Sequence, residues 1–155
     1  MSTAVWVALA VLALAATVGT WLLVRARRRR EWLTRLKATR AEVEWFAREL
    51  IPQLRASGSV DRVAGGWQVA APRVAAAEDE LTVLESSAHS QEDAARARHL
   101  RDAVRSAREK METLSGPGKH DEWALDLDDV AALLVAALGP TAVDSPGAAA
   151  PRRYE

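Results

Sequence analysis

The residues able to do chemistry in this chain are few and badly spaced for it. The histidines are His89, His99 and His120, and none belongs to an H-E-x-x-H pair or another metal-ligand spacing. His99 and Asp102 stand one helical turn apart, a spacing suited to an ordinary polar contact on a surface helix. Asp126 and Asp128 open like a calcium loop, but its fifth position falls on Val130 and its sixth on Ala131. The sixth position needs the sharp turn of a glycine, so the loop fails. Cysteine is absent, which excludes disulfides, thiolate zinc sites and thiol catalysis. No glycine-rich phosphate loop, nucleophile elbow or dinucleotide fingerprint is present, and Gly65-Gly66 alone specifies nothing. The serines have no base at a defined spacing. The expectation is a protein without catalytic residues, metal or cofactor, acting through contacts and not through a reaction.

Charge is more informative. The chain holds 21 basic and 21 acidic residues, yet they are graded along it. Residues 25–55 carry ten basic and four acidic side chains, a net of +6; residues 56–115 carry eight and ten; residues 116–155 carry three and seven. Such asymmetry suggests a surface partner for the basic end.

The elements that would position these charges begin with an apolar run. Ala4 to Val24 is 21 consecutive uncharged residues, among them five Leu, five Val and six Ala. At roughly 1.5 Å per residue a helix of this length covers about 31 Å, the thickness of a bilayer hydrocarbon core. Trp6 and Trp21 fall near its two ends, where indole rings favour the headgroup boundary. A cleavable leader is the rival reading. It would need a positive start, a shorter apolar core and a small-residue cleavage site. Met1-Ser2-Thr3 carries no charged side chain, and Ala8-Leu9-Ala10 lies inside the run. An uncleaved anchor over residues 1–24 is therefore expected.

The basic juxtamembrane segment, residues 25–30, follows at once with Arg25, Arg27, Arg28, Arg29 and Arg30. Positive charge flanking a first helix stays cytoplasmic. The expected topology is single-pass in the cell membrane, N-terminus outside and residues 25–155 cytoplasmic. The same arginines would attract the lipids of an anionic leaflet, each by about 1 kcal/mol. Nucleic acid is not expected as a partner, because the run adjoins the bilayer and no reading module accompanies it. Ala15 and Gly19, four apart with Ala8 above them, form a small-residue face of the kind that packs membrane helices into a homo-oligomer.

From residue 31 to 115 apolar residues keep a helical period. Leu36, Val43 and Leu50 are spaced by seven, as in a coiled coil, with Trp32 and Phe46 on the same side. Pro52 should kink or end this helix, and Ser57-Gly58-Ser59 should make the turn. A second stripe runs Val60, Val63, Trp67, Ala70, Val74, Ala77, Leu81, Leu84. Gly65-Gly66 and Pro72 predict a bend in it or two shorter helices, and Glu78-Asp79-Glu80 reads as a solvated face. A third stripe follows a capping box at Ser90 and Asp93: Ala97, Leu100, Val104, Ala107, Met111, Leu114. Three helices joined by short turns predict a cytoplasmic antiparallel bundle. Its alanine-rich core is thin, so self-association or a partner would help it. After a linker, residues 116–125, a short amphipathic helix is predicted over 126–138, capped by Asp126. It either docks on the bundle or presents Leu133, Leu134 and Leu138 to a groove on a protein partner. The remainder, 139–155, is rich in Pro, Ala and Gly and reads as a disordered tail.

Arginine outnumbers lysine 18 to 3, and the chain has one Ile, one Phe, one Tyr and no Asn. Over its whole length this composition resembles that of single-pass membrane proteins from GC-rich, actinobacterial genomes; no family motif accompanies it. The expected class is all-α: one transmembrane helix, a cytoplasmic bundle of about three helices and a short C-terminal helix. The expected role is a non-enzymatic membrane-anchored adaptor or scaffold with a protein partner. An alternative is an accessory subunit of a membrane secretion or transport complex, contacting its neighbours through the transmembrane helix itself.

Overall fold

A repeat of apolar residues at alternating steps of three and four puts one stripe on each helix, and the fold follows from how the stripes meet. The computed structural model describes residues 3–116 and 121–139, with the side chains of residues 1–11, 13 and 15 outside that description. The described residues are helical or turn, with no strand among them. They comprise α1 (Thr3–Trp45), a π-helical turn (Phe46–Leu50), α2 (Ile51–Ala56), α3 (Val60–Ser86), α4 (Gln91–Ser115) and α5 (Trp123–Leu138). The chain divides into two units, Met1–Arg35 and Leu36–Glu155.

In the first unit α1 is helical from Thr3 onward. The apolar side chains Leu12, Leu14, Val18, Trp21, Leu22, Leu23 and Val24 are all exposed. Among the described residues no helix is long and apolar enough to cross a membrane. The side chains of 4–11, 13 and 15, much of the apolar run, lie outside that set, Trp6, Ala8 and Ala15 among them.

In the second unit the end of α1, the π-helical turn and α2 form one helical segment, followed by α3, α4 and α5. Along the ring they form, α2 touches both α3 and α5, and α4 touches both α3 and α5. Successive helices are antiparallel, as short turns require. Val63, Trp67, Ala70, Val74, Ala77, Leu81 and Leu84 of α3 are buried, as are Ala97, Leu100, Val104, Ala107, Met111 and Leu114 of α4. Both sets alternate steps of three and four, the coiled-coil spacing. The alanines let backbones approach, and bulk comes from Phe46, Trp67, Leu81, Leu100 and Met111. The Phe46 and Trp67 rings stack with centroids 5.7 Å apart and tie the first segment to α3.

Several expectations are corrected. The helix neither breaks nor stops at Pro52. Pro52 has no N–H to donate, and its ring would press on the carbonyl four residues back, that of Arg48. The helix widens upstream instead: the Ile51 N–H donates to the Phe46 carbonyl, five residues back. A π-helical turn of this sort absorbs a local misfit without ending the helix. The chain then turns at Gly58, whose φ of 78° is the left-handed conformation glycine tolerates.

Nor does α3 bend into two pieces, since it runs unbroken through Gly65, Gly66 and Pro72. Pro72 is exposed, so the backbone acceptor it leaves unpaired faces water. Gly66 has a packing reason: a Cβ there would lie 2.5 Å from Leu54 Cδ2 of α2. Of the two placements expected for the short C-terminal helix, α5 takes the first, packing on α4 and α2 as a fourth member of the bundle. Its start is Trp123, three residues before the expected Asp126 cap, with Glu122 at the N-cap and no side-chain cap bond. The backbone has already turned there, with the Leu125 and Asp126 N–H groups donating to the Glu122 carbonyl at 2.8 and 3.2 Å; Leu127, Val130, Leu134 and Leu138 form the inward stripe. The Ser90 cap forms as the spacing implies, with its Oγ accepting from the Asp93 N–H at 3.1 Å. The expected tail beyond Gly139, the middle of the linker (117–120) and His120 lie outside the described residues.

Candidate functional site

Two surfaces carry the unusual chemistry, one in each unit. In the first, about 100° of rotation per residue places the exposed apolar side chains from Leu12 to Val24 around the whole helix axis, with no gap above about 100°. The polar atoms inside this stretch are satisfied locally. Thr17 Oγ1 donates to the Leu14 carbonyl and Thr20 Oγ1 to the Ala16 carbonyl, both at 2.8 Å. Hydroxyls tied to the preceding turn add little polar demand to an apolar surface. Gly19 has open space around its Cα.

Immediately after this stretch, Arg25, Arg27, Arg28, Arg29 and Arg30 are all exposed on helix. The Arg25 guanidinium lies 5.3 Å from the centroid of the Trp21 ring, which is itself 59% exposed. This is a cation–π contact across one turn. Arg27 Nε meets Glu31 Oε1 at 3.1 Å, an exposed pair that adds about 0.3–0.5 kcal/mol at most.

In the bundle, charge is matched. Glu78 was expected on a solvated face, but its side chain is 7% exposed. It sits against α4, where Arg105 Nε donates to Oε1 at 2.8 Å and Arg108 Nη1 lies 3.0 Å from Oε2. The second contact has ion-pair distance without hydrogen-bond alignment, since Oε2 makes no hydrogen bond. One heptad further along α3, Glu85 pairs with Arg98 at 2.6 Å and with Arg101. The two glutamates are seven apart, as are Arg98 and Arg105, so an antiparallel ladder links α3 to α4. The Arg101 pKa is raised, first by its hydrogen bond to Asp102 and then by the charges of Asp102, Glu85 and Glu78, against partial desolvation.

On the opposite flank of α3, Arg73 donates to Glu42 at 2.6 Å and lies 3.7 Å over the Trp45 ring. The Glu42 bond is the main cause of its raised pKa. Arg40 donates to the Leu138 carbonyl and Arg55 pairs with Asp128, so both ends of α5 are fastened to the first segment.

The three leucines expected to face a partner divide. Leu134 and Leu138 are buried in the bundle, and Leu133 is half-buried. The stripe that would enter a partner's groove is occupied by the chain's own α4 and α2. A partner would have to undock α5 to reach it. His99 and Asp102 are both exposed. Among the described residues no three His, Asp or Glu side chains converge as a metal site would require. A cleft of about 360 Å³ between α4 and α5 is lined by Ser106, Glu109, Lys110, Thr113, Leu114 and Asp126.

The Glu78 cluster is the feature that sequence reading missed. Its signal was present: Val74, Glu78 and Leu81 step by four and three, which sets Glu78 on the flank of the buried stripe. No protein family, curated protein or solved structure matches this chain.

Proposed function

We propose that this protein is a non-enzymatic, membrane-tethered helical adaptor. Residues 4–24 cross the bilayer once, and the bundle is held at the cytoplasmic face for a protein partner. The observation that carries this reading is the exposure of apolar side chains on every side of α1 between Leu12 and Val24. A helix that is apolar all round fits a lipid environment, whereas a surface helix of a globular protein is apolar on one stripe. The internally bonded threonines and the arginines placed directly after the run support the same reading. Tethering raises the local concentration of the bundle for anything else held at the membrane.

Membrane fractions from cells expressing the full chain test the span. Residues 4–24 should keep the protein in the pellet after an alkaline wash, and a protease added outside should leave the bundle intact. Release by the wash sinks the proposal. Replacing residues 4–24 with an unrelated transmembrane helix then tests the tether. An adaptor keeps its copurifying proteins, whereas a subunit that binds through its membrane helix loses them.

A further inference from the structure

Most arginines of the bundle are matched by acids: Arg96 to Glu92, Arg98 and Arg101 to Glu85, Arg105 and Arg108 to Glu78, Arg73 to Glu42, Arg55 to Asp128, Arg48 to Glu44; Arg40 and Arg62 donate to backbone carbonyls instead. Those of residues 25–30 are not so matched. Only Arg27 has a carboxylate, Glu31, and no acidic residue precedes Glu31 in the chain. Among the described residues Arg28, Arg29 and Arg30 have no ion pair. A cluster of like charge held at helical spacing repels itself, and a counter-charge from elsewhere is the simplest relief.

The geometry indicates what supplies it. Taking Arg25 as the origin, the five guanidinium stems leave the helix at about 0°, 200°, 300°, 40° and 140°. No gap exceeds about 100°, so they form a collar and not a stripe. A helix lying flat on a charged surface needs its basic residues on one side, and so does a helix set in a nucleic-acid groove. A collar suits a charged plane that the helix passes through. From Arg25 to Arg30 the axis rises about 7.5 Å, close to the thickness of about 5–8 Å of one headgroup layer. Trp21 sits one turn before it, where an indole at the apolar edge belongs.

We infer that Arg25, Arg27, Arg28, Arg29 and Arg30 form a collar that binds the phosphates of anionic phospholipids around the full circumference of the helix. The inference rests on the bilayer span proposed above and adds a ligand class to it. The collar gathers a shell of anionic lipid about each copy, beyond any part in orienting the chain.

The test uses the full chain reconstituted in vesicles of phosphatidylcholine with a minority of phosphatidylglycerol. Spin-labelled analogues of each lipid report which occupies the shell around the protein. Phosphatidylglycerol should be preferred by about fivefold or more. High salt should reduce that preference, and the R27Q/R28Q/R29Q variant should lose most of it. The corresponding lysine variant should keep it. Equal occupancy by the two lipids, with the protein firmly inserted, overturns the collar and leaves the span standing. A preference unchanged in the glutamine variant also overturns it. Failure to insert even into pure phosphatidylcholine overturns the span itself, and the collar with it.

Discussion

Residues 12–30 and residues 60–115 are both helical and both rich in Leu, Val, Ala and Arg, yet they handle those residues in opposite ways. In α3 and α4 the apolar side chains fall on one stripe per helix, and the stripes bury each other. Their arginines face glutamates across the seam. Between Leu12 and Val24 of α1 the described large apolar side chains lie on all sides and are exposed, and the arginines that follow stand almost without acids. The apolar residue types are shared; their pattern, and the acids that accompany the arginines, are not. A stripe calls for another helix, whereas an all-round apolar surface calls for a solvent that is itself apolar.

Substitutions can break or sharpen this contrast. The largest effect is expected from placing charge in the first region. L14R/V18R puts two arginines near the middle of the proposed span, each costing about 2.5–3.5 kcal/mol on the insertion scale. The double variant should move from the membrane pellet to the wash, and retention in the pellet argues against lipid as the surroundings. W67A should follow, with a loss of about 3–5 kcal/mol in the thermal or urea unfolding of the bundle. Trp67 is 3% exposed and stacked on Phe46, so its removal leaves a large cavity.

The ladder gives the next comparison. R105A/R108A leaves Glu78 buried without a cation and should cost about 3 kcal/mol. E78L removes the charge and should change stability by less than about 1 kcal/mol. If the two variants unfold at the same denaturant concentration, the ladder is not what the packing of α3 on α4 must satisfy. S90A removes the cap of α4 and should cost about 1 kcal/mol. The smallest effect belongs to V69R. Val69 is 84% exposed on the outside of α3, and the change should stay within about 0.5 kcal/mol. Set beside L14R/V18R, it asks whether an exposed valine means water in one region and lipid in the other.

Helices were legible wherever a stripe was long and unmixed. The buried set of α4 from Ala97 to Leu114 is the one its spacing implies, and Ser90 caps it because a hydroxyl three residues before an N–H reaches it without help. Local signals failed where the neighbouring helix decided. Pro52 and Pro72 look like helix breakers, but the first helical segment passes Pro52 after a wider turn, and Pro72 is exposed on α3. Gly66 looks like a weak point, and it is where Leu54 comes closest. Glu78 looks solvated because a run of three acids usually is; only the register of α4 shows that two arginines face it.

The sequence by itself determined the all-α class and the four amphipathic stripes. It could do so because period and spacing are properties of the chain alone. Tertiary structure decided that α5 completes the bundle with Leu134 and Leu138 inside and that Glu78 is paired with Arg105 and Arg108. Those outcomes depend on which surface each stripe meets, and a contact between residues on different helices, such as Glu78 and Arg105, leaves no mark on the local pattern of either one.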